Sequence, residues 1–433
     1  MIRLRPRGQY APLATAAAVL LLAAFVHAPA FAAEPELQHA KPADVGMDPA
    51  GLEKLNEAMH GMVDGGQLAG VVTMVSRKGK IVHFDAYGKR DIENGLPVEK
   101  DTIFRIYSMT KPIVGVALMT YYDEGRFTLD DPVSKFIPEF KGLKVAKEDG
   151  PDGNPITEDA DHPMTMRELM SHTAGLTYGL FSRSQVDTLY TKAGIITDPN
   201  QNLKDMVDKL AKIPLRQQPG SMWHYSVAVD VQGYVLEVLA GKPLDEVLNE
   251  RLFEPLGMKD TAFWVEPGKA DRFSRIYTPN SEGKLASPPN GQYLQKPKFL
   301  SGGGGLVGTA TDYMRFAQML ANGGELDGVR ILKPETVELM HTDHLPANVT
   351  DMGPLYRGNR FGLDFSIVTD PHPASDHERA KGEYWWYGIG GTWFGINPVQ
   401  DLVVVGMIQS RDFRASSAAR FASKRLAYEA IVD

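Results

Sequence analysis

Ser108-Met109-Thr110-Lys111 places a hydroxyl and an ammonium group three residues apart at the head of an apolar segment. Residues with this spacing lie on one face of a helix, about one turn apart. A serine hydroxyl is a poor nucleophile at neutral pH and needs a base to take its proton. A partly buried lysine can be that base, because burial disfavours its charged form. The stretch therefore predicts a nucleophile with its proton acceptor.

The same spacing also recurs at Ser281-Glu282-Gly283-Lys284, where it has a simpler explanation. That copy follows Pro279-Asn280, and the run of Pro, Asn, Ser and Gly indicates an exposed turn. Taken alone, Ser108 and Lys111 also fit a helix N-cap followed by a surface lysine. A catalytic interpretation of the first copy therefore depends on the rest of the chain.

Composition limits the functions to be considered. The 433 residues carry a formal net charge of −8, which argues against a nucleic acid or an anionic membrane as partner. Cysteine is absent, so disulfides, thiol nucleophiles and cysteine-ligated metals are excluded. The hydrophobic fraction of 43% is sufficient for a large buried core.

Residues 1–32 have the composition of a signal peptide. Arg3, Arg5 and Arg7 precede an apolar segment over residues 13–26, and Ala30-Phe31-Ala32 resembles a cleavage site. The apolar segment is short for a membrane span. We expect an exported protein, periplasmic or secreted, with no integral membrane anchor after cleavage.

Periodicity divides the remaining chain into three parts. Residues 69–76 and 81–87 are β-rich and predict a hairpin, whereas residues 384–387, 392–396 and 402–408 predict further strands. Between about residues 146 and 300, helical segments alternate with connections rich in Pro, Gly and Asn. We expect an α/β domain from residues 41–145 together with 301–433, and a mainly helical domain over 146–300. A catalytic cleft between them is expected, because clefts favour domain interfaces.

Four further motifs follow Ser108-x-x-Lys111 along the chain. They are Leu169-Met170-Ser171-His172-Thr173-Ala174-Gly175-Leu176, Tyr225-Ser226-Val227, Ser301-Gly302-Gly303-Gly304-Gly305-Leu306 with Thr309-Ala310-x-Asp312-Tyr313, and Ile389-Gly390-Gly391-Thr392. In this order the motifs resemble the serine β-lactamase and penicillin-binding-protein superfamily, in particular the class C-like carboxylesterases called family VIII esterases. The resemblance runs from about residue 45 to the end. It implies an α/β, β-lactamase/transpeptidase-like fold, with an antiparallel sheet flanked by helices and a mainly helical second domain.

The resemblance also implies roles for individual residues. Ser108 becomes acylated, Lys111 accepts or relays its proton, and Tyr225 shares the base duty and activates water in deacylation. A phenol beside an ammonium group is stabilised as phenolate, so such a pair can shuttle a proton. The backbone N–H groups of Ser108 and Thr392 would form the oxyanion hole, and the two preceding glycines permit close approach.

Two positions depart from the family pattern. Val227 stands where the second motif usually ends in Asn or Ser, and Ile389 stands where the third often begins with Lys or His. A cation there would hold the carboxylate of penicillins and D-Ala-D-Ala peptides, so Ile389 favours neutral esters. Arg105 or Arg360 remains open as a substitute cation. The candidate substrate-binding residues are Ile389, Gly390, Gly391, Val227 and His224.

Competing catalytic interpretations are weaker. We interpret His172 as a structural loop contact, because the resembling family does not use it as a base. No serine lies in Gly-x-Ser-x-Gly, which argues against an α/β-hydrolase nucleophile elbow. His341 and His344 have metal-like spacing without an HExxH motif, so we predict no metal and no cofactor.

The sequence thus predicts an exported serine hydrolase that cleaves carboxylic esters with short acyl chains through a Ser108 acyl-enzyme. Its partner is a small-molecule ester or lactam. A β-lactamase, a D-Ala-D-Ala carboxypeptidase and an acyltransferase remain alternatives with the same groups. A non-catalytic cell-wall binding protein is the alternative from another class.

Overall fold

The central sheet begins with the Val-rich segment Gly70–Arg77 and the turn that follows it. A computed structural model describes residues 1–2, 8, 36–288, 291 and 293–432, so the expected signal peptide lies almost wholly outside the described residues. Residues 37–433 form one compact unit. The division of that unit into two domains therefore stays a prediction.

The helices follow the apolar periodicity of the chain. Asp48, Thr309 and Asp412 are N-caps whose side chains accept backbone N–H groups of the first turn. The helices of the described residues are α1 (Pro49–Asp64), α2 (Thr110–Asp123), α3 (Met166–Met170), α4 (Gln185–Ala193), α5 (Leu203–Leu210), α6 (Ala228–Ala240), α7 (Leu244–Leu248), α8 (Glu254–Leu256), α9 (Ala310–Ala321), α10 (Pro334–Met340) and α11 (Phe413–Glu429).

Most strands are shorter than the helices, and they are distributed along the whole described chain. The strands of the described residues are β1 (Gly70–Arg77), β2 (Lys80–Asp91), β3 (Leu96–Pro97), β4 (Phe104–Arg105), β5 (Lys144–Glu148), β6 (Ile156–Asp159), β7 (Thr278–Pro279), β8 (Leu285–Ala286), β9 (Val307–Gly308), β10 (Glu325–Leu326), β11 (Val329–Arg330), β12 (Asn359–Phe361), β13 (Ser366–Val368), β14 (Tyr384–Tyr387), β15 (Trp393–Asn397) and β16 (Leu402–Met407).

Both ends of the chain contribute to one eight-stranded antiparallel sheet, in the order β12-β13-β14-β15-β16-β1-β2-β3. The register pairs Val72 with Met407 and Arg77 with Leu402. The turns at residues 77–80 and 397–401 therefore lie at one end of the sheet, and the segments 388–391 and 408–413 lie at the other. This confirms the expected antiparallel sheet, in which the last two predicted strands are neighbours.

Helices cover the central strands on both faces. Every residue of β1 and β16 is buried, which requires both sheet faces to be covered. Helices α1 and α11 pack against each other, and Gly51 allows α1 to approach Ala430 closely. Helix α9 contacts β1, β15 and β16 and sends Gln318 to accept a hydrogen bond from Ser76. The site thus rests on a rigid layered scaffold.

The nucleophile motif differs in detail from its prediction. The sequence predicts a helix that begins at Ser108, but Tyr107–Met109 forms a 3-10 turn and α2 begins at Thr110. Helix α2 is buried from Thr110 through Tyr121, because α6 and α7 pack against it. A π-helical turn at Asn249–Phe253 directly follows α7. Among the described residues, no helix is both long and apolar enough to cross a bilayer.

Candidate active site

Ser108 lies in the 3-10 turn before α2, on the wall of a large cavity. The preceding Tyr107 has a φ of 44°, in the left-handed region that side chains other than glycine rarely adopt. Such local strain is held only where the surroundings determine it, and it concentrates at functional sites. Gly390 packs so closely on the Tyr107 ring that a methyl group there would lie 2.5 Å from a ring carbon, whereas the Gly304 backbone makes an ordinary contact with Tyr107.

The Lys111 amine lies next to the Ser108 hydroxyl. Its Nζ is 3.2 Å from Ser108 Oγ and 2.5 Å from the carbonyl oxygen of Gly303, and the residue is 1% exposed. Burial lowers the pKa of Lys111 to about 7, against the opposing effect of Asp230 and Asp364. A large fraction of Lys111 is therefore a neutral amine at pH 7, able to accept the serine proton.

Tyr225 approaches the same hydroxyl from the loop before α6. Its phenol interacts with Ser108, and its ring centroid lies 4.6 Å from Lys111 Nζ. Trp386 Nε1 donates a hydrogen bond to the phenol oxygen at 3.3 Å. The structure thus brings all three predicted catalytic side chains together.

The expected phenolate form of Tyr225 is not the resting form. Burial raises the pKa of Tyr225 above its usual value, and this outweighs the lowering by Ser108 and Trp386. Because burial also lowers the pKa of Lys111, the favoured pair at neutral pH is a neutral amine beside a neutral phenol. The ion pair of ammonium and phenolate would cost more in this apolar setting.

Thr392, which is expected to contribute to the oxyanion hole, lies at the end of the sheet next to the segment before Ser108. Thr392 Oγ1 donates to the Ile106 carbonyl oxygen at 3.2 Å, which ties residue 392 to the segment before Ser108. Among the described residues, the backbone N–H of Thr392 donates to no backbone carbonyl. A backbone N–H that makes no bond within the protein is suited to bind a carbonyl oxygen that becomes negative, and this role of Ser108 and Thr392 stays a prediction.

The five candidate substrate-binding residues separate into two groups. Ile389, 61% exposed, and His224 line the cavity. Val227 is fully buried at the start of α6, and neither Gly390 nor Gly391 lines the cavity. Val227 packs in the core, and the two glycines allow the turn to pack against Tyr107 and Ile408, so substrate contact by these three residues stays a prediction.

His172 supports the Tyr225 loop. Its backbone carbonyl accepts from His224 N–H at 2.9 Å, its Nδ1 pairs with Ser226 Oγ at 3.1 Å, and its ring centroid lies 4.9 Å from that of Tyr225. Burial holds the pKa of His172 well below its usual value, so the ring stays neutral. This geometry is that of a structural contact.

Neither proposed substitute cation reaches the cavity. Arg105 is 3% exposed, donates to the Ser274 carbonyl and lies over the Phe273 ring, whereas Arg360 pairs with Asp343. Among the described lining residues the cations are Lys296 and Lys298, with no carboxylate. Lys296 pairs with Asp245, and Lys298 donates to the Asn200 carbonyl.

The two histidines with metal-like spacing make other contacts. His341 stacks on Tyr384 with ring centroids 4.5 Å apart. His344 contacts Arg167 through Nδ1 and the Leu339 carbonyl through Nε2.

The cavity has a volume of about 1000 Å³ and is largely aromatic and aliphatic. It extends from Ser108 to the surface. Its apolar lining comprises Tyr107, Tyr178, Leu180, Phe181, Ile196, Trp223, Tyr225, Phe263, Tyr293, Phe299, Leu355, Tyr356, Trp386, Tyr387, Ile389 and Phe413. This is the upper end of the range, roughly 300–1,000 Å³, found for sites that enclose drug-sized ligands.

Four residues of the site were not assigned a site role from the sequence. Gly303 holds Lys111, and Asp230 Oδ1 accepts from Gly303 N–H at 2.9 Å and from Ser301 Oγ at 2.6 Å. Trp386 donates to Tyr225, and the Tyr178 ring lies 5.3 Å from Lys111 Nζ. The tetraglycine motif was the sequence signal available for Gly303. Asp230 lies on a buried helix face, and no sequence motif marks it.

Comparison with known proteins agrees with this geometry. The family model described as Beta-lactamase matches residues 55–429. Protein Rv1367c of Mycobacterium tuberculosis (strain ATCC 25618 / H37Rv) is 37% identical over 355 residues, covering 80% of this chain and 87% of that protein. Esterase EstB of Burkholderia gladioli is 31% identical over 350 residues, covering 76% and 83%.

A solved structure extends the agreement to the fold. The structure of "EstCE1, a hydrolase with promiscuous acyltransferase activity" superposes with a TM-score of 0.75 at 26% identity, covering 88% of this chain and 98% of that one. The matched family model spans most of the chain and includes all three converging side chains. The chain therefore belongs to the beta-lactamase family, as a serine hydrolase with the β-lactamase fold.

Proposed function

We propose that the protein hydrolyses neutral carboxylic esters through an acyl-enzyme on Ser108. The observation that carries the proposal is the 3.2 Å contact between Ser108 Oγ and the amine of a fully buried Lys111. A base must lie within hydrogen-bond reach of the proton it takes and have a pKa near the working pH. Lys111 meets both conditions.

Acylation begins when Lys111 Nζ takes the proton of Ser108 Oγ as that oxygen bonds to the ester carbonyl carbon. The carbonyl oxygen becomes an oxyanion, which the N–H groups of Ser108 and Thr392 stabilise. The tetrahedral intermediate collapses as the bond to the leaving oxygen breaks. Tyr225 donates its proton to that oxygen and recovers one from Lys111, so the alcohol leaves neutral and the amine is again free.

Deacylation repeats these steps with water as the nucleophile. Tyr225 and Lys111 take a proton from the water as its oxygen attacks the acyl carbon. The same two amides bind the second oxyanion. Breakage of the bond to Ser108 Oγ releases the acid, and the proton returns to the serine.

The charges of the cavity favour neutral substrates. Its described lining contains two lysines, each with a protein partner, and no arginine. A substrate carboxylate would lose its hydration without gaining a free cation, which is unfavourable. This disfavours the β-lactamase and D-Ala-D-Ala carboxypeptidase alternatives.

The size of the cavity narrows the predicted class of ester substrate further. The sequence expectation was a short acyl chain, and a volume of about 1000 Å³ leaves most of the apolar space for the other half of the ester. We infer a short acyl group joined to a bulky apolar alcohol. Burial of apolar area at about 25 cal/mol per Å² favours such an alcohol over a small polar one.

A substrate panel tests this proposal. p-Nitrophenyl acetate, butyrate and octanoate, together with acetates of bulky apolar alcohols, are assayed beside nitrocefin, with added alcohols to detect transesterification. We expect ester hydrolysis, the highest kcat/KM for short-acyl esters of bulky alcohols, and negligible nitrocefin turnover. Strong nitrocefin turnover with negligible ester cleavage would refute the proposal, and dominant transesterification would reassign it to an acyltransferase.

Removal of one phenolic oxygen tests the role of Tyr225. Tyr225→Phe should lower kcat by about 10²- to 10⁴-fold, the range typical of general acid–base groups. Tyr384→Phe is the matched control, because it removes the same phenolic oxygen from a buried tyrosine that lies outside the cavity lining. Equal kcat values for the two variants would remove Tyr225 from the mechanism.

Export is proposed from the composition of residues 1–32 alone. N-terminal sequencing of protein isolated from its producing cells tests it. A mature terminus after Ala32 or a neighbouring residue supports export, and an intact residue 1–32 segment contradicts it.

A further inference from the structure

Exposed apolar side chains gather around the mouth of the cavity. Five of the fifteen exposed large hydrophobic residues among those described line this one cavity. Their exposed fractions are 60% for Leu180, 56% for Phe181, 62% for Leu355, 61% for Ile389 and 44% for Phe413. Single exposed apolar residues are ordinary, but a cluster on one surface indicates an interaction site. We call these five residues the apolar rim.

Exposed arginines accompany the apolar rim. Arg183 follows Phe181 by two residues, Arg357 follows Leu355 by two, and Arg414 is next to Phe413 in the first turn of α11. All three are exposed, and among the described residues none has a carboxylate within ion-pair distance. The rim therefore combines apolar side chains with cationic ones, and the described cavity lining adds no acid.

We propose that the apolar rim and Arg183, Arg357 and Arg414 form a docking surface for an anionic phospholipid bilayer. Aliphatic and aromatic side chains would enter the boundary between headgroups and acyl chains, and the guanidinium groups would pair with phosphates. The mouth of the cavity would then open against the layer in which a water-insoluble ester dissolves. Delivery of substrate rests on the proposed esterase function, whereas docking itself does not.

The negative net charge of the chain does not oppose this surface. At physiological salt the Debye length is about 8 Å, so the bilayer responds to charges at the contact and not to those across the molecule. The expectation from bulk charge, that an anionic membrane is no partner, therefore does not extend to this local surface.

Vesicle co-sedimentation of the full chain at 0.15 M NaCl tests the proposal. The vesicles are phosphatidylcholine, with or without one quarter phosphatidylglycerol. The rim variant is Arg183→Glu/Arg357→Glu/Arg414→Glu. Each lost basic residue near a charged bilayer costs about fivefold in binding, so the triple reversal should weaken binding by more than about 100-fold.

A matched control has the same charge change at the opposite end of the sheet. Lys80 lies in the turn after β1, Lys381 lies before β14, and Lys54 lies in α1 near the C-terminal end of α11. The six residue pairs of the β1–β16 register span about 20 Å between the two ends. The control Lys54→Glu/Lys80→Glu/Lys381→Glu should therefore bind anionic vesicles within about twofold of wild type.

An apolar variant tests the other component of the surface. Leu355→Asn leaves the charge unchanged and should weaken binding to anionic vesicles by about tenfold, because a largely exposed leucine would be buried in lipid. Circular dichroism checks that each variant is folded.

Three results would overturn the proposal: no binding of wild type to anionic vesicles, equal binding to pure phosphatidylcholine, or equal losses in the rim and control variants. Vesicle binding without hydrolysis of soluble p-nitrophenyl acetate would support the surface and refute only the esterase function.

Discussion

The proposed chemistry depends on the side-chain amine of Lys111. Protonation of this amine sets the pH dependence of the activity. Because burial lowers its pKa to about 7, the base is lost to protonation below that pH. We expect kcat/KM for a neutral ester to fall about tenfold per pH unit below about pH 6.5 and to level off above pH 8. The raised pKa of Tyr225 predicts no second loss up to pH 9.

His224 provides the control for this pH profile. Among the described lining residues it is the histidine, the residue type that ordinarily titrates near pH 7. Burial lowers the pKa of His224 to about 4, so His224→Asn should keep the loss of activity near pH 7. A kcat/KM that stays constant between pH 5 and pH 8, or a loss that vanishes in His224→Asn, would contradict the assignment of Lys111 as the base.

Stability provides a second test of the same amine. The folded-state pKa of Lys111 lies below its unfolded value of 10.5, so between pH 7 and 10.5 the unfolded chain binds more protons and stability rises with pH. Lys111→Met removes this penalty, which is largest below pH 7. We expect an inactive variant whose free energy of unfolding at pH 6 exceeds that of wild type by on the order of 2 kcal/mol.

Urea unfolding at pH 6 and pH 9.5 measures the difference. The advantage of Lys111→Met should shrink at the higher pH, because wild type no longer has to bury a charge there. An advantage that grows with pH would reverse the sign of the argument and show that the lysine is buried as a well-paired cation.

At the scale of elements, the turn before β15 presents the Thr392 amide. Gly391 has a φ of 96°, and a methyl group there would lie 2.4 Å from Ile408 Cγ1. Gly391→Ala should therefore displace the amide and lower kcat by about 10²- to 10³-fold, the effect of losing one oxyanion donor.

Gly382, before β14, is the matched control for that turn. Its φ of 88° carries similar backbone strain, but an added methyl group would lie 3.4 Å from the nearest atom of Val399. Gly382→Ala should lose about 1–3 kcal/mol of stability and keep its kcat. An unchanged kcat in Gly391→Ala would argue against the Thr392 amide as an oxyanion donor.

Long periodic segments were predictable from the sequence, whereas short ones were not. The β1–β2 hairpin matches its predicted position closely, because turn residues separate its two β-rich segments. Strands β12 and β13 have three residues each, too few to show a period. They form because Asn359 and Ser366 bond to each other within an existing sheet.

Site residues that belong to a sequence motif could be predicted. Site residues whose role depends on three-dimensional packing could not. Ser108 and Lys111 were singled out by their spacing, and the resemblance to the β-lactamase superfamily added Tyr225 and the role of each residue. Trp386 resembles an ordinary strand residue, and its role arises from the distance to Tyr225. The neutral form of the phenol also depends on three-dimensional burial, which no local pattern encodes.

At the scale of the whole molecule, a buried ion pair ties the last helix to the sheet. Lys424 of α11 pairs with Glu383 next to β14, the two being 5% and 1% exposed, and Tyr428 donates to Glu383 at 2.7 Å. Lys424→Met alone should lower the free energy of unfolding by about 3–5 kcal/mol, because it leaves a buried carboxylate unpaired.

The double variant Lys424→Met/Glu383→Gln separates charge from shape. It removes both charges and keeps an acceptor for Tyr428, so we expect most of the lost stability to return. Chemical unfolding of both variants measures the energies, and kcat per folded molecule should equal wild type. A double variant no more stable than the single one would contradict this account of the pair.

Intact-mass spectrometry after exposure to a fluorophosphonate and to a slowly hydrolysed p-nitrophenyl ester tests the central claim most directly. Wild type should gain one adduct with each reagent, located by proteolysis to the peptide that contains Ser108. Ser108→Ala should gain none, and Lys111→Met should gain it far more slowly. An adduct of the same mass and rate on Ser108→Ala would contradict Ser108 as the nucleophile.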